Sequence, residues 1–196
     1  MAETNRNQTE NTVNNGDVVG GDKITTYHTP KKTKLNSLFE KLKAAFDGDN
    51  RVTEISEDLQ RFFIKRDVIG LEQKLKDGNL EHLLDDAAWL KQEYYKKLTK
   101  FQFFEPAQQI HAFILGIVLE KFRNIIAPMI RNGNTEIEIS RTISTDVIDP
   151  IMLIIREEGC DDIMGLSATD IEGMIFYLTG QCHIKWVKND SLSPSV

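Results

Sequence analysis

The stretch that decides the fold is Ala112-Phe113-Ile114-Leu115-Gly116-Ile117-Val118-Leu119, which is apolar on every face of a helix. A helix at the surface of a soluble protein keeps a polar face, so this one must be surrounded by other helices. Glu120, Lys121 and Arg123 follow directly, which leaves the apolar run far short of the ~20 residues that cross a bilayer. We therefore predict a central core helix over about residues 107–130 and no membrane insertion.

The chain before this stretch has the apolar spacing of amphipathic helices. Apolar residues recur at intervals of three and four along residues 35–46, 55–63 and 80–98, and Gly48, Gly70 and Gly78 separate the segments. Such segments bury one face and expose the other. They predict helices packed around the central one.

The chain after residue 134 mixes two patterns. Glu136–Ile139 and His183–Val187 alternate polar and apolar residues, as half-buried strands do. Between them, Asp149 precedes Pro150 as a cap precedes a first-turn proline, and Ser167 with Asp170 resembles a capping box. The predicted fold is mainly α: a helical bundle with a small two-stranded β element near the C-terminus.

Composition divides the chain into three parts. Residues 1–34 are poor in apolar residues, and such a segment cannot bury enough surface to offset its ordering entropy. We predict a disordered N-terminal tail over 1–34, a mainly α interaction domain over 35–190 and a disordered C-terminus over 191–196. A chain of 196 residues rarely holds two independent cores, so we expect one folded domain.

Charge and cysteine content restrict the class of protein. The formal net charge of −6 argues against a nucleic-acid ligand for the folded part. The N-terminus lacks the apolar segment of a signal peptide, and the chain holds two cysteines, Cys160 and Cys182. We expect a reduced protein in the cytoplasm, with no membrane partner.

The candidates for chemistry are weak. Cys160 and Cys182 with His183 lack the paired spacing of a zinc site, and His82 and His111 fall on separate helices. The acidic pairs Glu157-Glu158, Asp161-Asp162 and Asp85-Asp86 are typical of solvated corners and lack the order of a calcium loop. The sequence also has no phosphate loop, nucleophile elbow or zinc-protease motif. We therefore predict no catalytic residue, no metal and no cofactor.

The tail contains the one internally repeated unit that we identify. Gly16-Asp17 recurs five residues later as Gly21-Asp22, with Val18-Val19 between the two pairs and Lys23 after the second. Gly-Asp pairs form turns and valines favour strands, so the unit suits a short β-arc or hairpin that adds to another edge or to its own copies. A merely solubilising leader is the alternative.

Two stretches resemble known families. The tail sequence Asn14-Asn15-Gly16-Asp17-Val18-Val19-Gly20-Gly21-Asp22-Lys23-Ile24 resembles the GD-x3-GDK peptide found on components of bacterial conflict and anti-phage systems. Residues 170–186, which run from Asp170 to Trp186, resemble the end of a C-terminal domain from the bacterial ABC three-component systems. The resemblance implies coupling to an ABC-type ATPase through a small middle component.

These patterns favour a non-enzymatic protein-interaction module of a bacterial anti-phage or conflict system. Its expected partners are an ABC-type ATPase, a middle component or an effector, with possible homo-oligomers through the tail. A small toxin-like effector enzyme with a spatially assembled site and an acidic antitoxin-like regulator are the alternatives. The predicted interaction residues are those of the tail motif and, near the C-terminus, Glu172, Tyr177, His183, Lys185 and Trp186, although core packing is favoured for Tyr177 and Trp186.

Overall fold

A computed structural model describes residues 33–65, 69–159 and 162–187, which belong to one compact unit spanning Lys32–Val196. This part of the chain is mainly helical, as predicted. The tail motif and Cys160 lie outside the described residues. The helices are α1 (Lys34–Asp47), α2 (Glu57–Phe63), α3 (Leu71–Asp77), α4 (Leu84–Phe101), α5 (Glu105–Lys121), α6 (Ala127–Arg131), α7 (Glu136–Thr142), α8 (Asp149–Glu158) and α9 (Ala168–Gly180).

Helix α5 is the central helix that the apolar stretch predicts. It packs against α1, α2 and α9, and Ile114, Leu115 and Val118 are at most 1% exposed. A π-helical turn, Phe122–Ile126, joins it to α6, so the helical run continues to Arg131. Phe113 is the exposed large side chain of this stretch: it is 39% exposed.

Helices α4 and α9 form the closest helix pair of the bundle. A Cβ atom on Gly173 would lie 2.4 Å from the carbonyl oxygen of Leu90 and 2.8 Å from Cβ of Tyr94. Real side chains do not approach this closely, so only glycine allows the two backbones to meet here. The contact fixes the spacing between α4 and α9.

The capping box predicted at the start of α9 is confirmed. The Ser167 hydroxyl accepts a hydrogen bond from the Asp170 backbone N–H, and the Asp170 carboxylate accepts one from the Ser167 N–H at 2.8 Å. Lys97 of α4 donates to the same carboxylate at 2.6 Å. The cap of α9 is therefore also tied to α4.

The predicted β element was wrong. Residues 33–65, 69–159 and 162–187 contain no strand, and Glu136–Ile139 lies at the start of α7. Thr135 and Glu138 form a capping box there, and this local hydrogen bonding favours a helix over the strand that the alternation suggested. Residues 183–187 form no ladder, and they pack against the end of α9.

Asp149 was predicted to cap the start of a helix, but it is the first residue of α8 and forms no cap. A second π-helical turn, Ile143–Ile148, leads from α7 into α8 without a break, so Asp149 lies within a helical run. Pro150 has no N–H to offer the Asp146 carbonyl four residues earlier. Lys121 supplies a donor instead, with its Nζ 2.9 Å from that oxygen. The predicted end of this helix at Gly159 is confirmed.

Candidate docking groove

A groove of about 810 Å³ opens between α4, α7 and α9. Each helix contributes residues spaced about one turn apart, which places them on one face. From α4 come Asp86, Trp89 and Leu90; from α7 and the turn after it come Glu136, Ile139, Ser140 and Ile143; from α9 come Thr169, Glu172 and Phe176. We call this cleft the Trp89 groove.

Trp89 is the most conspicuous side chain of the groove. It lies on the α4 side and is 58% exposed, although tryptophan carries one of the largest apolar surfaces of any residue. Leu80, Leu83 and Ile139 line the same groove and are only partly buried. An apolar surface of this kind is typical of a binding cleft.

Trp186 forms the base of the groove and is held in a fixed orientation. Its indole N–H donates to the Thr179 hydroxyl at 3.1 Å, and its ring stacks on Phe176 and meets Phe122 edge-on. A Cβ atom on Gly78 would lie 2.9 Å from Cβ of Trp186, so the turn after α3 can approach only as glycine. The base of the groove is therefore rigid.

Helix α7 forms the outer side of the groove and lies at the edge of the bundle. None of its seven residues is fully buried, and Ile137 on its outer face is 72% exposed. Its first residue, Glu136, pairs with His82 at 2.8 Å between Oε1 and Nε2. This hydrogen bond joins the start of α7 to the turn that precedes α4.

The charge of the groove is negative. Its lining, as far as the chain is described, includes the carboxylates of Asp86, Glu136 and Glu172 and no lysine, arginine or histidine. Burial raises the pKa of Glu172, and the nearby Asp86 carboxylate raises it further. Within the described ranges no basic side chain pairs with Asp86 or Glu172. Among these described residues the fold thus places two carboxylates without a basic partner beside exposed apolar surface.

The structure brings together two of the five residues predicted near the C-terminus. Glu172 and Trp186 both line the Trp89 groove. Tyr177 points to another face of α9, is 1% exposed and packs edge-on against Tyr94. His183 is buried beside the ring of Phe62, whereas Lys185 is exposed.

The sequence analysis missed Trp89 and Asp86. Trp89 lies outside the apolar stripe of α4, next to Leu90, and Asp86 was assigned to a solvated corner. An aromatic residue on the polar face of a helix was the available signal, because such a residue has no place in the core of its own bundle. The partner surfaces on α7 and α9 could not be inferred without the fold.

Cys182 and Asp162 are the candidates for metal binding around Cys160–Asp162 and Cys182 that the structure describes, and each has a structural role. Cys182 is buried, with its Sγ 3.3 Å from the Ile69 carbonyl oxygen. Asp162 accepts hydrogen bonds from the backbone N–H groups of Met164, Gly165 and Leu166. Over the described ranges no three metal-binding side chains gather into a site, and no helix is long and apolar enough to cross a membrane.

Comparison with known proteins identifies the domain. The family model of C-terminal domain 9 of the ABC-three component (ABC-3C) systems matches residues 70–186. No curated protein and no solved structure matches the chain. The matched segment runs from the start of α3 to Trp186 and so contains the described sides and base of the Trp89 groove. The chain therefore belongs to the family of C-terminal domain 9 of the ABC-three component systems.

Proposed function

We propose that the chain is a non-enzymatic protein-interaction module of a bacterial anti-phage or conflict system and acts in the cytoplasm. In this proposal the helical domain couples to an ABC-type ATPase, through a middle component or directly, and the tail residues 13–24 mediate assembly. Family membership supports a role among protein partners. The observation that carries the proposal is the Trp89 groove, which exposes a tryptophan beside the carboxylates of Asp86 and Glu172.

The proposed docking surface centres on Trp89, Glu172 and Trp186. Exposed aromatic side chains in a cleft are frequent hot spots of protein interfaces. Lys185 follows the buried Ile184 and is exposed next to Trp186, so we include it at the edge of the surface. Tyr177 and His183 support this surface only indirectly, by packing α9 and the segment that follows it.

Co-purification tests the proposal. The full chain is co-expressed with each other component of its ABC-3C system and isolated through an affinity tag on the chain. We expect one component to co-purify with the wild type and to bind Trp89→Ala about tenfold or more weakly, as for loss of a hot spot. Lys185→Glu should leave the melting temperature nearly unchanged but change the affinity through altered charge complementarity, and an unchanged affinity would remove Lys185 from the docking surface.

Leu153→Ala is the matched control. Leu153 is 53% exposed on α8 and lies outside the groove, so its removal changes exposed apolar surface elsewhere. This variant should bind like the wild type. Failure of every component to bind the wild-type chain would contradict the proposed function.

A further inference from the structure

We infer that the Trp89 groove binds a helical segment of a partner protein that places an arginine or lysine beside an apolar stripe. The inference rests on the proposed function and adds the chemistry of the partner. It follows from three features of the groove: its shape, its exposed aromatic ring and its charge.

The shape suits a helix. The lining residues of α4, α7 and α9 recur at helical spacing and leave a partly apolar cleft of about 810 Å³ between three helices. Amphipathic helices bind such clefts by inserting apolar side chains from one face. Ile139 and Ile143 on one side and Leu83 and Leu90 on the other offer the apolar contacts.

The aromatic ring and the carboxylates specify a cation. Asp86 and Trp89 are three residues apart on α4 and therefore project from the same face. A cationic group placed there meets an indole face and a carboxylate together, and Glu172 approaches from α9. Arginine fits this combination best because its planar guanidinium both stacks on aromatic rings and pairs with carboxylates.

The charge of the groove also argues against an acidic or neutral partner segment. An acidic or neutral segment would bury Asp86 and Glu172 without compensation, and the desolvation of unpaired carboxylates is costly. The described lining of the groove offers no basic side chain to offset a negative ligand. The formal charge of −6 over the whole chain further favours the approach of a basic segment.

Peptide selection tests the inference without knowledge of the partner. The probe is a phage-displayed library of random peptides of about 16 residues, long enough for four helical turns. We expect the full-length chain to enrich peptides with apolar residues at helical spacing and at least one arginine or lysine. Enrichment of acidic or uncharged peptides, or of none, would overturn the inference.

Variants then locate the binding site. Asp86→Lys should weaken an enriched peptide about tenfold or more, whereas Asp85→Lys should not, since Asp85 is exposed outside the groove. The two positions share the first turn of α4, so any effect on the helix dipole is matched. Glu172→Gln should also weaken binding. Equal binding of the peptide by Asp86→Lys and Asp85→Lys would overturn the inference. Arginine amide tests the cationic group without the helix, and binding as tight as that of the peptide would also overturn the inference.

The two proposals fail in different ways. A system component that binds the wild type and Asp86→Lys equally would remove the inference and leave the proposed function standing. If basic peptides bind in the groove while no system component binds the chain, the proposed function fails and the inference about the chemistry of the ligand stands.

Discussion

His111 lies wholly inside the bundle, with its Nδ1 3.4 Å from the hydroxyl of Tyr94. Burial lowers the pKa of His111 to about 3, an effect that the Asp170 carboxylate partly offsets and that Lys97 reinforces. Below pH 6.5, His111 therefore binds a proton in the unfolded chain but not in the folded chain. Stability should fall as the pH decreases from about 6.5 toward 3, by up to ~1.4 kcal/mol per pH unit from this residue.

Urea unfolding between pH 7 and pH 4.5 measures this effect. In His111→Gln the residue no longer titrates, so the decline in the free energy of unfolding toward acid should be less steep than in the wild type. The variant itself loses packing against Tyr94 and is expected to be less stable at pH 7. An equally steep decline in both proteins would show that His111 does not control the acid sensitivity.

The sequence predicts part of the burial pattern near the C-terminus. The alternation of His183–Val187 implies that Lys185 faces water, and it does so between the buried Ile184 and Trp186, whereas His183 is buried against the same pattern. The core packing favoured for Tyr177 and Trp186 is also found. The role of Trp186 at the base of a groove depends on Phe122 and Gly78, which are distant in sequence, and no local pattern could indicate it.

At the scale of elements, α5 should dominate stability. Leu115 is fully buried in this helix, so Leu115→Ala leaves a cavity and should lower the free energy of unfolding by about 2–5 kcal/mol. Phe113→Ala is the control, because Phe113 lies on the exposed face of the same helix and should cost clearly less. Chemical denaturation of both variants checks the difference. Comparable losses would contradict the central position assigned to α5.

The α4–α9 contact should be equally sensitive to a single methyl group. Gly173→Ala would force the two helices apart against the Leu90 carbonyl, and overpacking of this kind costs about 1–3 kcal/mol. Gly116→Ala is the matched control, since a Cβ there meets nothing within 4 Å. It should stabilise α5 by roughly 0.5–1 kcal/mol, because alanine favours a helix interior. Thermal melts that rank the two variants in the opposite order would be incompatible with this contact.

Element type was predictable wherever the apolar period was long and unambiguous. The central helix follows from such a period. The start of α9 follows from a different local signal, its capping box. Helix α7 follows from no such period, because Glu136–Ile139 alternates over too few residues to distinguish a strand from a helix. The deciding signal was Thr135 with Glu138 three residues later, a capping box that outweighs so short an alternation.

At the scale of the whole molecule, the family match begins at residue 70, whereas the hydrophobic core begins earlier, in α1. Helix α1 buries Leu35, Phe39 and Leu42 against the bundle, and Thr33 both caps α1 and donates to Glu158 at 2.6 Å. A fragment restricted to 70–187 would expose the surfaces that α1 and α2 cover. It should therefore be much less stable or aggregate.

A pair of truncations tests this expectation. Removal of residues 1–32 keeps Thr33 and its cap, so this variant should melt cooperatively near the wild-type temperature, while the 70–187 fragment should not. If the tail mediates assembly as proposed, the first variant should also lose protection in a phage challenge. Cooperative melting of the 70–187 fragment at the wild-type temperature would show that α1 and α2 are dispensable.

The placement of the chain's two tryptophans also makes the groove optically observable. Trp89 is exposed on one side of it, and Trp186 is 6% exposed at its base. Iodide should quench the emission of Trp89 and leave that of Trp186, so a bound segment that covers Trp89 would reduce quenching without any attached dye. In Trp89→Phe the remaining emission comes from Trp186 between Phe122 and Phe176, and a red shift would report the separation of these rings during unfolding.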